Sequence, residues 1–308
     1  MPDELGPDVA WLPGGGMPEA LRSIARSGRH DLCHAHMTMA EAAALATRRR
    51  HRGRLVATRH FAAHRGSTAV GKLSAPWIAR HLQLQLAISS FVDARLERPA
   101  DGVLLNGTAT RSVLWSAASR RVLLLQRLEP EKDTATALHA WRSSGLAARG
   151  WTLRVVGSGS QSAQLRALAA QMCLVGVEFA GYVRDVDAEL RAAGMMLATA
   201  PAEPLGLSVI EAMAAGIPVV AAAGGGHLET IATVAGAPLF RPGDASGAAA
   251  GLAAMADDEP RRQALSHAVR AAHAQRLSLD GHVSSLLEHY ALLGSRPLLD
   301  ERRSSSSA

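Results

Sequence analysis

Short apolar segments alternate with helix-like segments along most of this 308-residue chain, and this alternation constrains the fold more than any other feature. In the second half, the predicted strands are residues 122–125, 153–156, 177–179, 195–198 and 219–222. The predicted helices between or after them are residues 134–141, 162–172, 186–193 and 207–215. Strands and helices at this spacing indicate parallel βαβ units. The unbroken apolar character of the strands fits a sheet that is covered on both faces.

The first half has the same character with weaker signals. Its predicted elements are strands at 31–35, 54–58, 84–88 and 102–105, and a helix at 39–48. A polar stretch, SAASRR (116–121), precedes the first strand of the second half, and the length suits two domains. We therefore predict domains at 1–118 and 119–293, the second ending in a helix at 280–293. The serine-rich tail, 294–308, is predicted to be disordered.

Composition excludes several classes of protein. Charged residues make up 19% of the chain, which is too few for a disordered protein. No run of 18 apolar residues is free of charge, and the N-terminus lacks a basic-then-apolar signal peptide, so neither a transmembrane helix nor a secretory leader is predicted. Cys33 and Cys173 are far apart and make neither a metal-binding spacing nor a disulfide framework, which favours buried thiols in a reducing cytoplasm.

The net charge of +6 is concentrated in the first half of the chain. Residues 1–118 carry 15 Lys and Arg against 9 Asp and Glu, whereas the remainder is balanced. The densest part is RRRHRGR (48–54). A basic half suggests an anionic partner such as a membrane surface, although a solvated helix end explains the arginines equally well. No zinc motif or RNA-binding aromatic signature accompanies the charge, so we expect no nucleic-acid partner.

The strongest chemical motif is EPLGLSVIE (203–211), which follows a predicted strand and opens a predicted helix. Gly206 lets a ligand approach the backbone closely, and the amides of Leu207 and Ser208 at a helix N-terminus suit a phosphate. Glu211 could accept hydrogen bonds from a ribose diol, and Glu203 could face a sugar. Alternatively, both glutamates are exposed carboxylates that the helix dipole favours.

A second motif, QRLEPEK (126–132), follows the strand at 122–125. Arg127 and Lys132 would then lie at the carboxyl edge of the sheet, where open α/β sheets bind ligands. Two cations at that edge can neutralise a diphosphate leaving group. The alternative is a solvated loop that contains an Arg–Glu ion pair.

Two further turns follow strands of the same sheet. In VGSGS (156–160), Gly157 and Gly159 either make a tight turn or leave room for a nucleotide. In GYV (181–183), Tyr182 could line a nucleobase pocket through its backbone. Each of these signals is weak when taken alone.

Together, these segments resemble the donor domain of the family 4 retaining glycosyltransferases. The likeness extends through AMAAGIPVV (212–220), GGGHLE (224–229) and PGD (242–244), in matching order across residues 120–293. The resemblance implies an α/β protein of the GT-B fold, with two Rossmann-like domains whose parallel sheets face a cleft. It also implies a nucleoside-diphosphate sugar, UDP- or GDP-linked, as co-substrate, retention of anomeric configuration, and no metal or other cofactor.

The resemblance assigns roles to the matching residues. Arg127 and Lys132 would bind the diphosphate, Glu203 the donor sugar and Glu211 the ribose. The backbone at Gly206, Leu207 and Ser208 would contact the sugar and the phosphates.

The first half resembles the family more loosely, through DLCHAH (31–36) and VATRH (56–60). On this basis His60 is the expected active-site histidine facing the donor across the cleft, followed by His36 and then His64. The family usually opens with a strand and a glycine-rich loop, followed by a helix and a second strand. Nothing before Asp8 supplies that unit, and GGG (14–16) does not follow a strong opening strand. We therefore expect an N-terminal domain that lacks its first βα unit.

Three functions fit these observations. The first is an active transferase in envelope or polysaccharide glycan synthesis, which acts on a glycan or lipid-linked acceptor. Such an enzyme would be cytoplasmic and would contact an anionic membrane peripherally. The second is a degenerate, non-catalytic sugar-nucleotide-binding protein. The third is a sugar-nucleotide epimerase of the same architecture, which the R-x4-K and E-x7-E pairs argue against.

Overall fold

The computed structural model describes residues 8–66, 69–112 and 115–294, so the predicted tail lies almost entirely outside the described residues. The chain divides into two compact units, one running to Leu104 and resuming at Leu286, the other covering Leu105–Ser285. This division reflects the density of contacts and lies before the boundary at 118/119. The domain limits inferred from the sequence remain predictions.

The first unit contains a four-stranded parallel sheet in the order β1-β2-β3-β4. Its strands are β1 (Leu32–Ala35), β2 (Arg54–Arg59), β3 (Leu84–Ala87) and β4 (Gly102–Val103). Its helices are α1 (Met17–Arg26), α2 (Thr38–His51), α3 (Ala69–Arg80) and α4 (Ser90–Asp93). The sheet is covered on one side by apolar residues of α2 and α3, among them Leu45 and Ile78. On the other side, Leu293 from the end of the chain packs against Val56 and Leu86.

The second unit contains a six-stranded parallel sheet in the order β10-β9-β8-β5-β6-β7. Its strands are β5 (Arg121–Leu125), β6 (Thr152–Val156), β7 (Val177–Gly181), β8 (Met195–Ala198), β9 (Val219–Ala222) and β10 (Leu239–Phe240). The helices are α5 (Thr134–Ser144), α6 (Ser162–Gln171), α7 (Val186–Ala192), α8 (Leu207–Ala214), α9 (Ala245–Asp257) and α10 (Glu259–Arg276), followed by α11 (Leu279–Gly294), which continues into the first unit.

The strand order of the second sheet reverses once. The chain builds β5, β6 and β7 outward in one direction, then returns to the other side of β5 for β8, β9 and β10. Such a switch point opens a crevice at the carboxyl ends of the strands, where doubly wound sheets bind ligands. We therefore expect a ligand-binding site at the carboxyl edge between β5 and β8.

The fold class inferred from the sequence is confirmed: the protein is α/β, with two parallel sheets. The predicted strands all form, and the predicted helices form with ends shifted by at most three residues. Six elements were not predicted from the sequence: α1, α3, α4, α9, α10 and the two-residue β10. No helix within the described ranges is long and apolar enough to cross a membrane.

Candidate functional site

A cavity of about 470 Å³ lies at the switch point of the second sheet. Four strand-to-helix loops, the first turn of α8 and a turn after β9 form its walls. The polar lining residues are Gln126, Arg127, Lys132, Ser158, Tyr182, Glu203, Ser208, Glu211 and His227. Its size is in the usual range for a small-molecule site, and it contains most of the residues singled out from the sequence.

The loops after β5 and β6 are held together by their backbones. The amide of Leu128 donates to the carbonyl of Ser158 at 2.9 Å, and the amide of Gln161 donates to the carbonyl of Leu128 at 3.0 Å. Gly157 makes this approach possible, since a Cβ atom there would lie 1.9 Å from the carbonyl oxygen of Gln126. Its φ of 131° is also one that other residues avoid. Gly157 therefore shapes the floor of the cavity.

Lys132 is fixed at both its backbone and its side chain. Its carbonyl accepts hydrogen bonds from Gln126 Nε2 at 3.0 Å and from Thr199 Oγ1 at 2.9 Å. Its Nζ donates to Glu203 Oε2 at 2.6 Å, and the two side chains are only 13% and 15% exposed. The structure thus brings together a cation and a carboxylate that are 71 residues apart in the chain.

Arg127 lines the same cavity but is far more exposed. Its guanidinium pairs with Glu131 at 2.7 Å, with side-chain exposures of 63% and 56%. This is the Arg–Glu pair that the sequence analysis considered as an alternative. A pair so open to water is weak, so Arg127 can exchange Glu131 for an anionic ligand at little cost.

The start of α8 faces the cavity through Leu207 and Ser208. Gly206 is the N-cap, with a φ of 96°, and does not itself line the cavity. The first amides of a helix have no acceptor within the helix, and the dipole adds partial positive charge there. This end of the cavity can therefore bind anionic or carbonyl oxygens.

Glu211 also lines the cavity and is paired with a residue that the sequence analysis missed. Arg111 donates to Glu211 Oε1 at 3.1 Å and also forms an ion pair with Asp187. Arg111 thereby orients one oxygen of the carboxylate. No local pattern around Arg111 could have revealed this partnership, which joins positions 100 residues apart.

Two further predicted residues, Tyr182 and Gly159, differ in whether they line the cavity. Tyr182 lines the cavity, with 76% of its surface exposed. Gly159 is not among the lining residues, and a Cβ atom there would lie 2.4 Å from the carbonyl oxygen of Leu128. Gly159 therefore allows the two loops to pack and has no contact with the cavity itself.

His227 was also missed as a site residue, although it lies within the segment GGGHLE. It belongs to a short 3-10 turn, Gly225–Leu228, that follows β9. Its side chain is almost fully buried and forms part of the cavity wall. Burial lowers the pKa of His227, against the opposing effect of the nearby Glu203 carboxylate, so the imidazole is neutral at physiological pH.

The candidate histidines of the first half lie together at the carboxyl edge of the first sheet. His36 follows β1, His60 follows β2, and His36 Nδ1 lies 3.0 Å from His60 Nε2. His60 is half-buried, whereas His36 and His64 are exposed. All three line a cavity of about 310 Å³. The three candidate histidines, His60, His36 and His64, thus lie in one cluster. Which of them acts in the reaction stays a prediction.

The loop that carries His60 and His64 is anchored by buried charges. Arg65 is fully buried and forms ion pairs with Glu41 and Glu97. Arg59 also binds Glu97, at 3.1 Å, and donates to the carbonyl of Ala63 at 2.9 Å. Because an unpaired buried charge is costly, this network holds the loop in one conformation.

Comparison with known proteins identifies the class to which this fold and site belong. The profile of the family Glycosyl transferases group 1 matches residues 110–272, just over half of the chain. The chain therefore belongs to that family. The matched region contains the whole of the 470 Å³ cavity.

Individual relatives agree with this assignment. A 2-deoxystreptamine glucosyltransferase of Streptomyces kanamyceticus is 33% identical over 135 residues, covering 43% of this chain and 35% of the relative. A glycogen synthase of Mycobacterium tuberculosis is 27% identical over 277 residues, covering 83% of this chain and 66% of the relative. The chain thus spans between a third and two thirds of these curated relatives.

Among solved structures, HepE of Anabaena, crystallised with UDP and glucose, superposes with a TM-score of 0.74. The two sequences are 20% identical, and the match covers 89% of this chain and 81% of HepE. At this level of identity the likeness concerns the fold alone. It supports the GT-B assignment made from the sequence.

Proposed function

We propose that this chain is a retaining glycosyltransferase that moves a sugar from a UDP-sugar to a hydroxyl group of an acceptor. The observation that carries the proposal is the Lys132–Glu203 ion pair, 2.6 Å long, in a cavity at the switch point of a parallel sheet. A cation for the diphosphate and a carboxylate for the sugar are thus side by side. The start of α8 adjoins them.

Each residue has a role that its surroundings support. Lys132 and Arg127 neutralise the charge that develops on the departing diphosphate, as preorganised cations do in other transferases. Glu211, oriented by Arg111, accepts hydrogen bonds from the ribose. Glu203 binds the sugar, and the backbone around Tyr182 adjoins the base. His60 is the proposed active-site histidine of the first unit, and neither a metal nor another cofactor takes part.

The choice of donor rests on relatives. HepE was crystallised with UDP and glucose, and the Streptomyces relative is named a glucosyltransferase. We therefore place UDP-sugars ahead of GDP-sugars. The acceptor class remains a glycan or lipid-linked hydroxyl of envelope or polysaccharide synthesis, which is a proposal from the family alone.

The test begins with binding and proceeds to turnover. UDP, GDP and ADP are titrated calorimetrically, and UDP is expected to bind tightest. A UDP-sugar with a labelled glycosyl group is then incubated with candidate acceptors, with and without EDTA, and the product anomer is determined by NMR. Binding without any transfer would favour a non-catalytic protein, and conversion of the sugar nucleotide without acceptor would favour an epimerase. An absolute need for added Mg²⁺ or Mn²⁺ would contradict the metal-independent mechanism.

We also propose a cytoplasmic enzyme that contacts anionic membrane through its first unit. Arg49, Arg50 and Arg52 are exposed at the end of α2, and each adds about 1 kcal/mol near an anionic surface. They lie at the opposite end of β2 from His60, so docking there leaves the histidine cluster uncovered. Salt-sensitive sedimentation with anionic but not neutral vesicles, lost when all three become Gln, is the expected result. Sedimentation unaffected by that change would refute the role of these arginines.

A further inference from the structure

His227 occupies a corner of the donor cavity to which the roles above assign nothing. Only 1% of the surface of His227 is exposed, yet the residue forms part of the cavity wall. The neighbouring groups are Glu203 and the N-cap of α8, Gly206. A Cβ atom built on Gly206 would lie 3.1 Å from Cδ2 and 3.3 Å from Nε2 of His227. A glycine at this position therefore lets the N-cap of α8 approach this edge of the imidazole without crowding it.

The hydrogen-bonding state of the ring follows from its one backbone partner. Nδ1 lies 3.0 Å from the carbonyl oxygen of Ala222, which can only accept a hydrogen bond. Nδ1 therefore carries the hydrogen. In a neutral imidazole the other nitrogen, Nε2, is then an acceptor, and burial keeps the ring neutral by lowering its pKa.

Nε2 has no hydrogen-bond partner among the described residues, and His227 is one of the residues that line the cavity. Glu203 is in a similar state, because Lys132 binds its Oε2 and no described residue donates to its Oε1. The corner thus presents two acceptors, an imidazole nitrogen and a carboxylate oxygen. Two such acceptors repel the oxygens of a diphosphate and attract O–H groups, since buried acceptors require donors.

We propose that His227 Nε2 accepts a hydrogen bond from a hydroxyl group of the transferred sugar, and that His227 is thereby a specificity-determining residue. The inference rests on the proposed function. It implies a donor sugar that presents free hydroxyls to both His227 and Glu203. A sugar that is deoxygenated at the position facing His227 is a poor donor.

Two substitutions separate the pocket nitrogen from the structural one. His227→Asn retains a donor near the position of Nδ1, and so the bond to Ala222, but has no atom at the position of Nε2. His227→Gln does the reverse, because its side-chain oxygen reaches the position of Nε2. The two variants therefore test the acceptor separately from the packing of the turn.

The experiment measures the affinity of the wild type and both variants for UDP and for a UDP-sugar. The UDP-sugar is whichever of UDP-glucose, UDP-galactose and UDP-N-acetylglucosamine the wild type binds tightest. His227→Asn is expected to bind UDP within about twofold of the wild type and the UDP-sugar roughly tenfold more weakly, the usual effect of losing one such hydrogen bond. His227→Gln is expected to recover most of the affinity for the UDP-sugar.

A series of deoxy analogues of the same UDP-sugar provides a second readout. The analogue that lacks the recognised hydroxyl is expected to bind the wild type and His227→Asn equally well. The inference is overturned if His227→Asn binds UDP and the UDP-sugar as the wild type does, or loses affinity for both to the same extent. A wild-type protein that binds no nucleotide or UDP-sugar is a different result and refutes the proposed function itself.

Discussion

Lys132→Met is the substitution that tests the proposed site most directly. The change removes the ammonium group but keeps a side chain of similar length. The backbone at position 132 is held by Gln126 and Thr199, whose hydrogen bonds to its carbonyl do not involve the lysine side chain. The substitution therefore removes one charge from the cavity, while the hydrogen bonds that hold the backbone at position 132 remain.

The expected size of the effect follows from the burial of the ion pair. Lys132 and Glu203 are 13% and 15% exposed, so neither charge is fully solvated. A hydrogen bond to a charged group contributes about 1.5–3 kcal/mol, which corresponds to UDP binding weakened by roughly 10- to 150-fold. Loss of a preorganised group that stabilises the leaving group lowers turnover by about 100- to 1,000-fold.

The partner substitution, Glu203→Gln, has the opposite expected effect on UDP. Removing the carboxylate frees Lys132 for the diphosphate, so UDP binds at least as tightly as in the wild type, while turnover of the UDP-sugar falls. The other lysine of the chain, Lys72, is exposed on α3, and Lys72→Met is the matched control. Calorimetric titration with UDP checks all three variants. A Lys132→Met protein that binds UDP within twofold of the wild type would refute the assignment of Lys132 to the diphosphate.

Three further outcomes are expected. Glu211→Gln is expected to bind UDP and uridine about tenfold more weakly in calorimetric titrations, because one charged acceptor for the ribose is lost. Unchanged affinity for uridine would contradict the ribose role. Gly157→Ala lowers the melting temperature and the affinity for UDP, because the added Cβ atom would lie 1.9 Å from a backbone oxygen. The control is Gly145→Ala, which has a φ of 66° and open space around it and costs only about 1–2 kcal/mol of backbone strain. Equal losses in the two variants would show that crowding at Gly157 is unimportant. Burial lowers the pKa of His227 and of His273, so below the ordinary value of about 6.5 the unfolded chain binds more protons than the folded one. Stability is therefore expected to fall as the pH decreases from about 6.5 towards the lowered pKa values. Melting curves at several pH values that show no such decline would contradict this.

The elements that the sequence predicted well are those with dense apolar residues. β8 and β9 were predicted without error at either end, because MMLA and VVAA are short apolar runs between turns. α9 and α10 were not identified. α9 is an alanine- and glycine-rich segment with no clear apolar period, and α10 is largely polar because it is exposed along much of its length. Weak periodicity leaves such helices without a sequence signal.

The candidate site divides in a similar way. Residues that follow strands of one parallel sheet must meet at its carboxyl edge, so the convergence of Arg127, Gly157 and Glu203 on one region follows from topology. The partner that each charge takes does not. Arg111 with Glu211, and Lys132 with Glu203, are pairs between distant segments whose geometry depends on loop packing. The acceptor state of His227 depends on a single backbone carbonyl, which no motif specifies.

These pairings explain how a cavity with two carboxylates can exist before a substrate arrives. Glu203 and Glu211 both lose part of their solvation in the cavity, but Lys132 and Arg111 each neutralise one of them. A nucleotide sugar offers replacements for both kinds of group. Its hydroxyls can donate to the carboxylates while its diphosphate competes for Lys132. In the proposed complex, Lys132 exchanges the Glu203 carboxylate for the diphosphate, and Glu203 exchanges the ammonium group for neutral hydroxyl donors. Each buried charge thus keeps a hydrogen-bonding partner, as a charged site of this burial requires.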